Sequence, residues 1–369
     1  MQGMKPTANI HGATGARNLL GMSRDELEQL AVAQGHPCYR GSQLYHGIYS
    51  RRQQDLTRLT DLDLGFRRFL ASNFQVDYPR VVAEFESRDG AVRYLLKLED
   101  GQRVEAVYMP EEDRTTLCIS SQAGCAVNCR FCFTALVGLK RNLTSGEIIG
   151  QVLAIASAQH IAPKSRLNIV FMGMGEPLLN LGPVMKAVNI MADTAGVGVA
   201  LRRITVSTSG IIPGIYELGR QPLRPKLAIS LNASTEEKRT ALMPLNRKYP
   251  LKDLLAACRA YPLRPRERLT FEYVMLDGIN DSRADAARVA NLVRGIPARV
   301  NLIPYNGGEA LSYRASPLAR VLKFQQVLSE RHVPAFIRVS RGRDIMAACG
   351  QLSLQTNPQI ARISQTPQT

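Results

Sequence analysis

Six short apolar runs, TTLCIS, NIVFM, RITVS, KLAISL, LTFEYVML and ARVNLI, punctuate the chain between residues 115 and 303, and stretches of helical periodicity such as SGEIIGQVLAIASA and RADAARVANLVRGI separate them. Neighbouring parallel strands cannot be joined by a tight turn, so this strand–helix–strand rhythm predicts a parallel sheet with crossover helices. Six units are too few to close an eight-stranded barrel, and no glycine-rich dinucleotide fingerprint follows any run. The expectation is an α/β fold built on a partial (β/α)6 barrel over residues 113–353, with AFIRVS at 335–340 as a late strand extending the sheet. In such folds functional groups gather where the strands end.

The first third of the chain reads differently. Residues 1–20 are expected to be a flexible arm and residues 354–369, rich in Gln, Thr and Pro, a loose tail. Ser23 with Glu26 forms a capping box that opens a helix, and helical patterns near 41–52 and 62–73 complete a small helical domain over 21–78. The runs VVAEF, AVRYLLKL and RVEAVYM, divided by the turn pairs Asp89-Gly90 and Asp100-Gly101, predict a β-meander over 79–112 that links the two.

Charge narrows the partners. The 369 residues carry a formal net charge of +16, which favours a polyanion, and nucleic acid fits best. No 18-residue apolar run and no apolar core near the N-terminus appear, so neither a membrane span nor a secretory signal is expected, and the protein is expected in the cytoplasm. Between residues 201 and 270 fourteen Lys or Arg face five Asp or Glu, and Arg202-Arg203, Arg247-Lys248 and the Arg264 to Arg268 cluster are the candidate phosphate contacts.

Seven cysteines, an odd number crowded into a basic chain, suit metal binding or catalysis in a reducing compartment better than a disulfide scaffold. Three of them, Cys125, Cys129 and Cys132, stand in CAVNCRFC. Structural zinc wants four ligands and the usual cysteine pairs sit two residues apart, with no second pair here. A four-iron cluster held by three thiolates keeps one iron open to a ligand that is not protein.

That spacing, after a first strand and before a helix, resembles the radical S-adenosylmethionine (SAM) superfamily. With its flanks CISSQAGCAVNCRFCFTALVGLKRNLTSGEIIGQV, FMGMGEPLLN, RRITVSTSG, EYVMLDGINDS, NLIPYN and RGRDIMAACGQL, the chain is similar to the RlmN/Cfr family of radical SAM RNA methyltransferases from about residue 18 to 353. The resemblance implies one [4Fe-4S] cluster on Cys125, Cys129 and Cys132, SAM on the open iron, and methylation of carbon 2 of an adenosine in 23S rRNA and of a tRNA adenosine. The sister activity on carbon 8 of the same rRNA adenine uses the same catalytic motifs. It further implies that Cys349 carries the methyl group, that Cys118 resolves the adduct through a disulfide with Cys349, and that Glu105 removes the adenine proton. Gly175, Glu176, Ser207, Ser230, Leu231, Asn232 and Asn306 fall on SAM-binding positions. A flavodoxin-type electron donor and a monomeric enzyme follow from the same likeness.

Taken alone, Cys118 and Cys349 would read as small buried hydrophobes, the commonest role of free cysteine, and Cys38 and Cys258 keep that reading. Two positions depart from the family pattern. Asn232 stands where many members have histidine, and Phe133 is bulkier than the small residue expected after the last cluster cysteine.

Overall fold

The computed structural model describes residues 16–307, 311–352 and 354. Expectations for residues 1–15 and for the tail beyond 354 lie outside the described residues. Ordered chain starts before the anticipated boundary at residue 20: β1 (Arg17–Asn18) pairs in parallel with β2 (Phe74–Gln75), and Leu19 is fully buried. Between them lie α1 (Arg24–Ala33), α2 (Tyr39–Tyr49) and α3 (Leu64–Asn73). The capping box forms as expected, with Ser23 Oγ accepting from Glu26 N and Glu26 accepting from Ser23 N. Leu27, Ala31, Leu44, Tyr45, Ile48 and Phe66 bury the inner faces of this domain.

The meander is present, with β3 (Arg80–Glu86), β4 (Val92–Lys97) and β5 (Arg103–Glu111) pairing antiparallel through turns at Asp89-Gly90 and Asp100-Gly101. It is no mere linker. β5 pairs antiparallel with β6 (Arg114–Cys118), the first barrel strand, so meander and barrel form one ten-stranded sheet.

After a small clasp of β7 (Gln122–Ala123) and β8 (Arg141–Asn142), with α4 (Thr134–Val137) between them, crossover helices alternate with parallel strands. The order runs α5 (Ser145–Ala158), β9 (Leu167–Phe171), α6 (Leu181–Ala192), β10 (Ile204–Thr208), α7 (Ile212–Gly219) and β11 (Lys226–Ser230). Then come α8 (Glu236–Leu242), α9 (Leu251–Ala260), β12 (Leu269–Met275), α10 (Arg283–Leu292), β13 (Ala298–Pro304), α11 (Leu318–Glu330) and β14 (Ala335–Ile337). The barrel strands follow one another in chain order, β6 and then β9 to β14, all parallel, and the sheet ends in two edges, β3 and β14. This is the partial barrel the alternation predicts, lengthened by the late strand.

The pleat sorts the side chains. One row, including Ile169, Phe171, Val206, Leu227, Phe271, Tyr273 and Leu302, is buried in the apolar core with the helices. The register places Thr116, Cys118, Asn168, Ser207, Ser230, Glu272 and Asn301 on the opposite row, which lines the barrel lumen. That row is polar and cross-linked, with Asn301 donating to Glu272 at 2.9 Å and Arg299 to Thr270 at 3.0 Å.

Candidate functional site

The three-cysteine loop leaves the end of β6 and is pinched at its base by the β7–β8 clasp. Gly124 there has φ +81°, and a Cβ would run into the carbonyl of Gly138, so only glycine fits. Cys132 N donates to Cys129 O at 3.1 Å and Arg130 N to Leu242 O at 2.9 Å, while Cys129 and Cys132 pack against Phe131, Leu242, Met243 and Tyr305. Burial pushes all three thiols up, Cys125 to about 12 and Cys129 well above its ordinary value, and the Cys129 shift is increased by its two neighbours. A set of buried, mutually repelling thiolates needs metal charge to exist. Among the described residues no three His, Cys, Asp or Glu side chains converge on a single ion, whereas a four-iron cube takes one thiolate per iron. The donor set fits a cluster.

Cys118, Glu105 and Cys349 come together beside that loop. Val107 of β5 lies opposite Cys118 of β6, so Glu105, two residues earlier on β5, projects from the same face as Cys118. Glu105 is fully buried, paired with the buried guanidinium of Arg93, which in turn stacks over Phe85 with its carbon 4.0 Å from the ring centre. Its second oxygen accepts from Leu354 N at 3.2 Å, tying Glu105 to the segment that carries Cys349. That segment is also fixed to the cluster loop: Phe133 N donates to Gly350 O at 2.7 Å and Thr134 Oγ1 to Leu352 O at 2.7 Å. Phe133 is buried, and its bulk is accommodated at the head of α4. Cys349 is surrounded by protein yet keeps accessible surface, as a group on the wall of a lumen does. Its thiol is pushed up to about 11 by burial and by Glu272; Cys118 is raised by burial and by Cys349 itself. The disulfide expected between them is not formed: all seven cysteines are free, with Cys118 held in the sheet and Cys349 on a separate segment. Cys258 is buried as expected, but Cys38 is exposed at the head of α2.

The remaining expected site residues ring the strand ends. Gly175, at φ +102°, brings its loop so close to β7 that a Cβ would lie 2.6 Å from Gln122 Cβ. Glu176 is buried and its carboxylate raised by burial. It already accepts from Ser209 N at 2.7 Å, Ser209 Oγ at 2.5 Å and Leu178 N at 3.1 Å, and the Thr208 side chain also bonds it, so its charge is held in place by the neighbouring strand-end loop. Ser207 and Ser230 face the lumen, and Asn306 donates to Ser340 Oγ at 2.8 Å. Leu231 is a core residue whose polar groups are both spoken for: its N donates to Glu272 O and its carbonyl accepts from Arg239. Asn232 has left-handed φ, 56°, and its amide bridges Met243 Sδ and Val274 N, so it braces β11 against β12 instead of reaching out as a histidine would.

Arg239 was counted among the basic surface, yet it is fully buried. Its guanidinium donates to the carbonyls of Ser209, Ser230 and Leu231 and to Asn246 Oδ1, fastening two expected SAM-binding loops, those after β10 and β11, from behind. Desolvation lowers it to about 10, opposed by the charge of Cys129. Asn280 is another residue that pattern reading missed; it donates to Asn232 O and Val274 O and accepts from Leu276 N. Neither has a recognised local signal, because each joins near neighbours in the chain to a distant partner, Ser209 for Arg239 and Asn232 for Asn280.

Two family models match this chain, the ribosomal RNA large subunit methyltransferase N-terminal domain over residues 17–76 and the radical SAM superfamily over residues 119–290. A probable dual-specificity RNA methyltransferase RlmN from Koribacter versatilis is 49% identical over 335 residues, covering 86% of this chain and 96% of that protein. The chain belongs to the RlmN family of radical SAM RNA methyltransferases. The RlmN of an Anaeromyxobacter species is 46% identical over 347 residues, covering 92% of each chain. A crystallised radical SAM methyltransferase from Sphaerobacter thermophilus superposes with a TM-score of 0.86 at 44% identity, over 91% of this chain and 98% of that one. An RlmN-type enzyme uses an iron–sulfur cluster and SAM and acts on RNA, and the cysteine loop and strand-end ring are where this chain has the groups to hold the two cofactors. No helix among the described residues is long and apolar enough to cross a membrane.

Proposed function

We propose that this chain methylates carbon 2 of adenosine 2503 in 23S rRNA and of adenosine 37 in tRNA. The observation that carries the methyl-cysteine chemistry is the convergence of two free thiols, Cys118 and Cys349, and a buried glutamate beside a three-cysteine loop, and the likeness to dual-specificity RlmN proteins supports carbon 2 over carbon 8. Adenine carbon 2 is a poor nucleophile, so polar methyl transfer of the kind that serves amines does not reach it. Cys125, Cys129 and Cys132 would hold a single [4Fe-4S] cluster, which together with SAM would supply the radical chemistry that such a carbon requires.

The protein's own groups do the rest. Glu176 would offer its buried carboxylate charge to the SAM ammonium, while Gly175, Ser207, Ser230, the Leu231–Asn232 backbone and Asn306 would line the cradle. Cys349 loses its proton, accepts a methyl group on sulfur, and presents that carbon to the adenine. Cys118 attacks the Cys349 sulfur, so that an S–S bond forms as the bond from that sulfur to the base-bound carbon breaks, the freed carbon takes up a proton, and an external thiol reductant returns both cysteines to thiols. Glu105, anchored by Arg93, takes the ring proton through an oxygen that now accepts from Leu354 N. A flavodoxin-type donor supplies the electron, and the enzyme works as a cytoplasmic monomer.

The test is anaerobic reconstitution with iron, sulfide, SAM, a reductant and either a 23S rRNA fragment or tRNA, followed by mass analysis of the nucleosides. The expected product is 2-methyladenosine from both RNAs; 8-methyladenosine would assign the chain to the sister activity.

A further inference from the structure

Parallel strands have two ends, and the described chemistry occupies one of them. The other is basic. Loops 263–268, 293–297 and 331–334 lead into the starts of β12, β13 and β14 and enclose an open hollow of about 690 Å³. Its floor is apolar, with Val293, Ile296, Val333 and Pro334, and its walls carry Arg264, Arg266, Arg268, Arg294, Arg331 and His332. Glu267 is the single acid in the lining, and it is already matched, 3.6 Å from Arg224. Arg266 and Arg268 are exposed, and Arg266 is held at φ +64° in the turn. Arg202, in the turn before β10, adds its charge from the same end of the sheet. Three loops separated by as much as 70 residues of chain thus converge their guanidinium groups on one concavity. Arg264, Arg294 and Arg331 each spend one donor within the fold, on Arg224 O, Asn291 Oδ1 and Val327 O, and a guanidinium with five donors keeps others for a ligand.

We infer that this hollow is a second RNA-binding surface, gripping the phosphate backbone of the substrate RNA at the pole of the barrel opposite the cysteine loop. A strand of seven residues separates the poles by about 20 Å, a distance that a folded RNA spans easily. Arginine forks suit phosphate oxygens, and an apolar floor between them suits a ribose or base edge. The basic residues anticipated as one RNA face therefore divide. Arg247-Lys248 sit in the turn after α8, whose Leu242 accepts from the cluster loop, and serve the catalytic end; Arg202 and Arg264–Arg268 serve the far pole. The inference rests on the RNA substrate proposed above.

Two charge-removing pairs test it, Arg266→Ala/Arg268→Ala on one loop and Arg294→Ala/Arg331→Ala on the other two, made in the cluster-loaded enzyme. Binding of a 23S rRNA fragment is measured by fluorescence anisotropy across potassium chloride concentrations. Each pair should weaken binding roughly three- to tenfold and flatten the log–log salt slope by about 1 to 2, since each lost phosphate contact removes about 0.7–0.9. Iron content, SAM cleavage without RNA and melting temperature should stay as in the unaltered protein. Unchanged affinity and slope in both pairs would overturn the site, as would equal competition by inorganic phosphate at the RNA's phosphate concentration, which would mark a small-anion pocket. If the unaltered enzyme binds RNA but yields no methyladenosine, the proposed reaction fails while this surface stands.

Discussion

The two thiols proposed to be catalytic live in opposite kinds of structure. Cys118 ends β6, a strand hydrogen-bonded on both sides inside a ten-stranded sheet, with Val107 opposite it and Val170 alongside. Cys349 rides on an irregular segment after β14 that is latched down one bond at a time. Arg341 donates to the carbonyls of Asp89 and Pro110 at 3.1 and 2.8 Å, Gly342 N to Asp89 Oδ2 at 2.9 Å, and Gln351 to Gly307 O at 3.0 Å. A latch of separate bonds, each contributing about 1 kcal/mol, opens locally far more easily than a sheet does. The contrast suits the proposed division of labour, in which Cys349 would move between methyl donor and acceptor while Cys118 stays put.

Removing either sulfur sharpens that contrast most. Cys349→Ala and Cys118→Ala should each cut methylated RNA by more than about a thousandfold with cluster and SAM cleavage retained. Only Cys118→Ala should leave RNA covalently attached to the protein, visible as a shifted band on a denaturing gel. Attachment in the Cys349 variant would reverse the assigned roles.

The rigid side depends on Arg239. Arg239→Met removes the donor that the carbonyls of Ser209 and Ser230 meet in the interior and should cost about 3 kcal/mol in urea unfolding, with Arg239→Lys recovering part. A loss under about 1 kcal/mol would show that the strand ends hold themselves.

The latch predicts a smaller, local effect. Arg341→Ala should raise amide hydrogen exchange over residues 343–352 by about tenfold and lower turnover by a similar factor, leaving exchange in β6 unchanged. Protection lost equally in β6 would mean that both regions open together.

Acidity gives the finest test. With its thiol raised to about 11, Cys349 is neutral at pH 7, so its alkylation by iodoacetamide in the cluster-loaded protein should climb about tenfold per pH unit from 7 to 10. Cys118, raised further, should react more slowly throughout. A plateau for Cys349 below pH 9 would place it in a much wetter or more cationic setting.

Features that depend on near neighbours in the chain were readable in advance. Ser23 with Glu26, the Asp89-Gly90 turn, the strand–helix alternation and the cysteine spacing each state their own geometry within a few residues. What escaped was long-range. That β5 would pair with β6 turns on a register between two strands, either of which could have ended a sheet. That Arg239 would be interior cannot be read from EEKRTAL, where it stands among charged neighbours like any surface arginine; the carbonyls it satisfies come from β10 and β11. Asn232 shows the same limit at a site residue, since its side chain is claimed by Met243 and Val274. Glu105 was identified through family likeness, and its partner Arg93 went unnoticed because antiparallel neighbours twelve residues apart leave no motif.

The alternation of rows along the barrel strands also sets how this protein tolerates change. Neighbouring positions in one strand answer to different demands: Phe271 to packing volume, Glu272 to what enters the lumen, Tyr273 to packing again. A saturation library read for solubility and for RNA modification should therefore resolve into two interleaved combs of period two, each silent where the other is sensitive. Engineers seeking another nucleobase have one comb to play on, and can leave the other alone.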